Sequence, residues 1–147
     1  MPKQLSIEHS KLTFDEKARL SETREKIVAK ELGWNRIGHQ WVNGTSDMVT
    51  PTKEHDRAEM KTDFRMDETG RYFLSMKDWD KQSSSNKYWV VCQAGRSFEQ
   101  VDIAWVVETS SILADLPKFE AINVHDGGYF IPIDWLDFHA VKKLTFS

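Results

Sequence analysis

The sequence predicts a mixed α/β or α+β domain built around one sheet. Three observations predict it. One long, capped, amphipathic helix lies near the start; a succession of short apolar or alternating runs follows, each bounded by turn residues; and a second short helix falls late, between strand-like runs. The 147 residues, 39% hydrophobic and 29% charged, suit a single domain spanning 1–147. Six Trp and eight Phe supply enough large apolar surface for a core.

Residues 1–12 read as a loose N-terminal arm. In LTFDEKARLSETREKIVAKELGW, Thr13 and Glu16 have the spacing of a capping box, and Gly33 stops the helix. Ala18, Glu25, Val28, Ala29 and Leu32 share one side at helical spacing, and Glu25 is the odd carboxylate on that face. Glu22 lies about one turn earlier. HQWVNG, SDMVT and RAEMKTDF read as short strands separated by NGT and PTKEHD. GRYFLSM follows the turn signal DETG. The polar stretch DWDKQSSSNK is a loop or a short helix. YWVVCQ, the most apolar run, is expected to be a central strand, and IAWVVET another. SSILADL is a short helix with Thr109 or Ser110 as cap and Pro117 as stop, and GGYFIPIDWL is a late strand.

The bulk numbers narrow the function classes. The single cysteine, Cys92, excludes an internal disulfide and any zinc site made from several cysteines; its apolar neighbours make it a core thiol. Neither a signal peptide nor a membrane span is visible, so a cytoplasmic setting is the default expectation. The net charge of −3 is not that of a protein that coats nucleic acid. The charge is uneven, however: residues 11–36 hold seven Lys/Arg against five Asp/Glu, and residues 101–147 hold three against seven. Gly127-Gly128 lacks the pattern of a phosphate loop, and no G-x-S-x-G elbow is present. Five histidines scattered at 9, 39, 55, 125 and 139 do not make a metal-phosphohydrolase set around His55-Asp56.

The candidate chemistry lies in RAEMKTDF. Strand alternation puts Glu59, Lys61 and Asp63 on one face. Taken alone, that face reads equally well as a charged edge defended against aggregation. If 46–50 and 57–64 pair as a hairpin, Asp47 comes close to Glu59 across the ladder. Two hard carboxylates with water suit Mg²⁺, and a neighbouring lysine can orient a water or stabilise charge growing on phosphate. A further carboxylate from the helix, Glu25 or Glu22, could join them. Asp63 reads as a strand cap, a partner of Arg65 or an outlying acid of the site. Lys81, Ser83, Ser84, Ser85 and Lys87 could face a phosphate backbone, with Trp79 available to stack, or form an ordinary polar loop.

SDMVTP followed by RAEMKTD resembles the active-site hairpin of the PD-(D/E)xK, or restriction-endonuclease-like, nuclease superfamily: an Asp, a hairpin, then (D/E)-x-K on the next strand after a helix that often supplies a Glu. MKTDF, ETGRYFLSM and SSSNKYWVV are similar to a subgroup frequent in phages. The resemblance covers roughly residues 14–110. It implies an αβββαβ core, here with a C-terminal strand-helix-strand extension, and DNA phosphodiester hydrolysis dependent on Mg²⁺ or Mn²⁺. Asp47, Glu59 and Glu25 (or Glu22) would be the metal ligands, and Lys61 the catalytic lysine. Ser46 stands where the pattern has proline. Arg71 stands where the subgroup has asparagine, and it becomes, with Lys81 and Lys87, a candidate DNA contact. The resemblance also implies the cytoplasm of a bacterium or phage-infected host, and a homodimer if two strands are to be cut. The competing expectation is a non-catalytic accessory protein that keeps the fold and binds DNA or another protein.

Overall fold

The computed structural model describes residues 8–37, 46–94, 97–123 and 126–146. The expected strand HQWVNG, residues 1–7 of the N-terminal arm, His39 and His125 lie outside these. Residues 8–10 form a helical turn. Helix α1 (Phe14–Leu32) begins as expected, with the Glu16 amide donating to Thr13 Oγ1 (3.2 Å) and the Thr13 amide donating to Glu16 Oε1 (3.0 Å). It ends at Gly33, whose φ of 72° is the left-handed conformation that favours glycine.

The remaining elements are β1 (Asn35–Arg36), β2 (Met48–Val49), β3 (Arg57–Asp63), α2 (Met66–Thr69), β4 (Arg71–Ser75), α3 (Met76–Gln82) and β5 (Tyr88–Gln93). Then come β6 (Ile103–Glu108), α4 (Thr109–Asp115), β7 (Glu120–Ile122), β8 (Gly128–Pro132), α5 (Ile133–His139) and β9 (Lys142–Thr145). The main sheet has the order β1-β2-β3-β5-β6-β9, and a second sheet has the order β4-β8-β7. Only the β3–β5 pair is parallel among the described strands. The architecture is thus mixed α and β, as the sequence predicts.

YWVVCQ is central because both of its faces are apolar. Val90 and Cys92 join Val28, Ala29 and Leu32 of α1, together with Met48, Ala58 and Met60. Trp89 and Val91 face the other way, against Trp79, Tyr72, Leu74, Ile112, Ile131 and Leu136. One helix therefore covers one face of the main sheet, and the second sheet with α3, α4 and α5 covers the other.

Four expectations are corrected. GRYFLSM is a strand, but it pairs with β8 in the second sheet rather than extending the first. GGYFIPIDWL is a strand only to Pro132, where proline ends the ladder and sits at the N-cap of α5. The extension therefore also contains β7, α5 and β9. Glu108, not Thr109 or Ser110, is the N-cap of α4, and no side chain caps that helix. Pro117, the expected stop, does lie just past the end of α4, in a 3₁₀ turn (Leu116–Lys118).

Gly128 faces Ser75 across the β4–β8 ladder. A Cβ there would lie 2.5 Å from the Leu74 carbonyl oxygen and 2.6 Å from the Phe73 ring. Gly128→Ala is therefore expected to cost about 1–3 kcal/mol through overpacking, read as a lowered denaturation midpoint at unchanged m-value. An unchanged midpoint would mean that this contact relaxes freely. Among the described residues, no helix is long and apolar enough to cross a membrane.

Candidate functional site

The hairpin that builds the site is held by its own turn. The Thr50 amide donates to the Asp56 carbonyl (2.8 Å), and the Asp56 amide donates to Thr50 Oγ1 (3.1 Å). This sets the register Met48 with Ala58 and Val49 with Arg57. One step on, the Asp47 amide donates to the Ala58 carbonyl (3.0 Å), and Asp47 Oδ2 accepts from the Met60 amide (2.8 Å). Asp47 is thereby clamped across Glu59, as the hairpin spacing predicts. His55, at the tip, is exposed with a φ of 48°.

Glu59 is only 5% exposed. Its Oε2 lies 3.2 Å from Lys61 Nζ, whereas its Oε1 is buried with no hydrogen-bond partner. Burial, and then the negative charge of Asp47, push the Glu59 carboxyl up to about 8 despite the opposing pull of Lys61. Lys61 is under opposite pressures. Burial favours its neutral form, but the carboxylates of Glu59 and Asp78 outweigh this and raise its pKa. Lys61 is therefore held as an ammonium ion, suited to pairing with negative charge rather than to taking up a proton.

Asp78, whose Oδ2 lies 3.7 Å from Lys61 Nζ, was not singled out by sequence reasoning. It lies in the stretch read as loop or helix, in the first turn of α3, where Ser75 Oγ accepts from the Asp78 amide. Settling that stretch as helix would have aimed Asp78 back toward the strand. Lys61 and Asp78 open into a cleft of about 490 Å³ that also exposes Arg65, Arg71, Phe73 and Phe130.

Asp63 shares this cleft, but its carboxylate accepts from the backbone amides of Arg65 (2.8 Å) and Phe73 (3.2 Å). It ties β3 to β4. Burial raises its pKa against these hydrogen bonds.

The helix carboxylates occupy different surroundings. α1 packs on the face of the sheet opposite to Glu59 and Lys61. Glu25, 2% exposed, accepts from Ser21 (3.2 Å) and from Arg36 Nε (3.4 Å), and Glu22 lies 3.0 Å from Arg36 Nη2. Arg36 thus binds both acids the sequence offered, a pairing that spacing could not reveal. Arg24, buried beside them, donates to Thr62 Oγ1 (3.2 Å) and to the Phe98 carbonyl. Beneath them, burial pushes the Cys92 thiol up to about 12, with Arg24 opposing and Glu25 and Asp47 adding to the shift. Among the described residues, no three His, Cys, Asp or Glu side chains converge as a ready metal cage. The Asp47–Glu59 pair nonetheless fits a divalent cation. It is a hard oxygen set with one buried oxygen that accepts no hydrogen bond, and burial together with the facing charge of Asp47 holds a proton on Glu59 that a cation would displace.

The candidate DNA contacts are scattered. Arg71 lines the cleft, pairs with Glu120 (2.6 Å) and stacks 4.0 Å above the Phe130 ring. Lys81 is exposed in the last turn of α3. Lys87 donates to Asp56 Oδ2 (3.4 Å) and lines a separate groove with Ser83, Ser84, Asn86 and Thr109. Trp79 is not available for stacking: it is 5% exposed and packs on Trp89. No protein-family model matches the chain, and no curated protein matches it.

Proposed function

We propose that the protein is a divalent-metal-dependent DNA endonuclease with a restriction-endonuclease-like core. One observation carries the reading: a single hairpin register gathers the Asp47 and Glu59 carboxylates, and the next outward residue of the same strand, Lys61, carries an ammonium ion to the mouth of a cleft. The element order supports it. α1, the β1–β3 strands, α3 and a β5 parallel to β3 follow the αβββαβ sequence, with β4 diverted to the second sheet.

Asp47 and Glu59 would hold Mg²⁺ or Mn²⁺, which supplies positive charge at the phosphate and activates water. Asp47 is fixed for this by the Met60 amide. Lys61 faces the negative charge that grows on the phosphoryl oxygens, and Asp78 and Glu59 hold its ammonium from two sides. Glu25, anchored by Arg36, supports the α1 side of the hairpin in this reading and acts on the site through packing.

The test combines metal linkage with cleavage. Mn²⁺ is expected to raise the melting temperature of the wild type, because an ion that binds only the folded state stabilises it. Asp47→Asn is expected to abolish both that shift and the nicking of plasmid, branched and single-stranded DNA. If Mn²⁺ leaves the melting curve unmoved and no DNA is cut, the non-catalytic accessory reading takes its place.

A further inference from the structure

We propose that the cleft beside Lys61 seats an unpaired stretch of DNA, with a base stacked on a platform made by Phe73 and Phe130. The inference deepens the nuclease reading and rests on it for the identity of the phosphate at Lys61.

Strand alternation builds the platform. Tyr72 and Leu74 of β4 point into the core, so Arg71, Phe73 and Ser75 point the other way. Phe73 and Phe130 face each other across the β4–β8 ladder with ring centroids 5.5 Å apart, tilted by 55°. Gly128 leaves the space that the Phe73 ring occupies. Both rings are half-buried; the Arg71 guanidinium lies 4.0 Å above one face of Phe130, and the remaining surface of that ring lines the cleft together with Phe73. Lys61, Arg65, Arg71, Phe73 and Phe130 all line the same volume of about 490 Å³.

Aromatic faces flanked by cations select a flat π-system that carries negative charge, which is the chemistry of a nucleotide. The platform lies inside the cleft rather than on a convex surface. A base can reach it only when it is out of a duplex stack. The acids of the cleft are already engaged, Asp63 by backbone amides and Asp78 by Lys61. Arg71 pairs with Glu120, but that partner is 64% exposed, and such a surface pair exchanges readily for phosphate.

The experiment measures equilibrium binding by fluorescence anisotropy in EDTA, where no cutting interferes. Wild-type protein is titrated with oligo(dT), with an abasic deoxyribose-phosphate chain of equal length and charge, with oligo(rU), and with a duplex of that length. Oligo(dT) is expected to bind about tenfold more tightly than the abasic chain, the order of one stacked base, and more tightly than the duplex. Phe73→Leu and Phe130→Leu should bring the ratio of oligo(dT) to abasic affinity close to one, while Phe130→Tyr keeps it. Equal binding of oligo(dT) and the abasic chain overturns the proposal without recourse to any variant. So does stronger duplex binding, absence of binding, or a ratio that survives both leucine variants. Tighter binding of oligo(rU) overturns the assignment to DNA. Because no cleavage is read, a platform-dependent preference without any nuclease activity would sink the nuclease reading alone. Cleavage by a protein with no such preference would sink the platform alone.

Discussion

Lys61→Ala is expected to lower the rate of phosphodiester cleavage by about 100- to 1000-fold, the usual effect of removing one preorganised charge from a transition state. The size follows from where the ammonium sits. Lys61 reaches the cleft from a strand fixed on either side of it, at Met60 by the hydrogen bond from its amide to Asp47 and at Asp63 by two backbone amides. Its charge is held in place by Glu59 at 3.2 Å and Asp78 at 3.7 Å, so it is oriented before any substrate arrives. Without it, Glu59 and Asp78 lose the cation that they share. Lys61→Arg should rescue poorly, since a planar guanidinium does not fit a site shaped around a compact ammonium. The Mn²⁺-induced rise in melting temperature should survive in Lys61→Ala, because Asp47 and Glu59 are intact. Single-turnover cleavage at saturating protein is the measurement. Cutting by Lys61→Ala at the wild-type rate would remove Lys61 from the chemistry.

The second large effect is on stability. In the metal-free protein, stability is expected to fall as pH rises from about 5 to about 8, and Glu59→Gln is expected to flatten that fall. The folded protein holds the Glu59 carboxyl up to about 8, whereas the unfolded chain releases the proton near the ordinary value of 4.5. Between these values the native state binds the additional proton. The contribution is therefore complete below the unfolded pKa and is lost as pH climbs through the folded one. A shift of this size corresponds to at most a few kcal/mol, at about 1.4 kcal/mol per unit. Mn²⁺ should reverse the trend, since a cation at Asp47 and Glu59 favours the ionised pair and releases a proton on binding. Denaturant titrations at several pH values, with and without Mn²⁺, read all of this. A wild-type profile no steeper than that of Glu59→Gln would mean that Glu59 ionises without strain.

The parts of the site that could be read from the sequence are those set locally. The capping box of α1, the hairpin around Thr50 and Asp56, and the alternation of Glu59 and Lys61 each depend on residues a few positions apart. Cys92 announced its burial through its neighbours. The rest depends on partners that spacing does not name. RYFLS has the alternation of any half-buried strand, and nothing in it states that it pairs with GYFIP instead of the main sheet. IDWLDFH has apolar residues that suit a strand or a helix, and the proline before it is as compatible with an edge strand as with a boundary. Glu25 carried the right charge, but its role turns on Arg36, which comes from a two-residue strand on the other side of a turn. Asp78 lay hidden for the same reason: its partner is on another element.

The position of Cys92 gives the protein a clock. Its thiol is the only one in the chain, it is fully buried in the central strand, and burial holds it far from the reactive thiolate. An alkylating reagent can reach it only when α1 lifts from β5, which opens the core on that face of the principal sheet. Each molecule that opens and is trapped gains one adduct and one step in mass. Where closing is faster than labelling, the rate of that step divided by the rate for an exposed thiol is the fraction of time that face of the sheet spends uncovered.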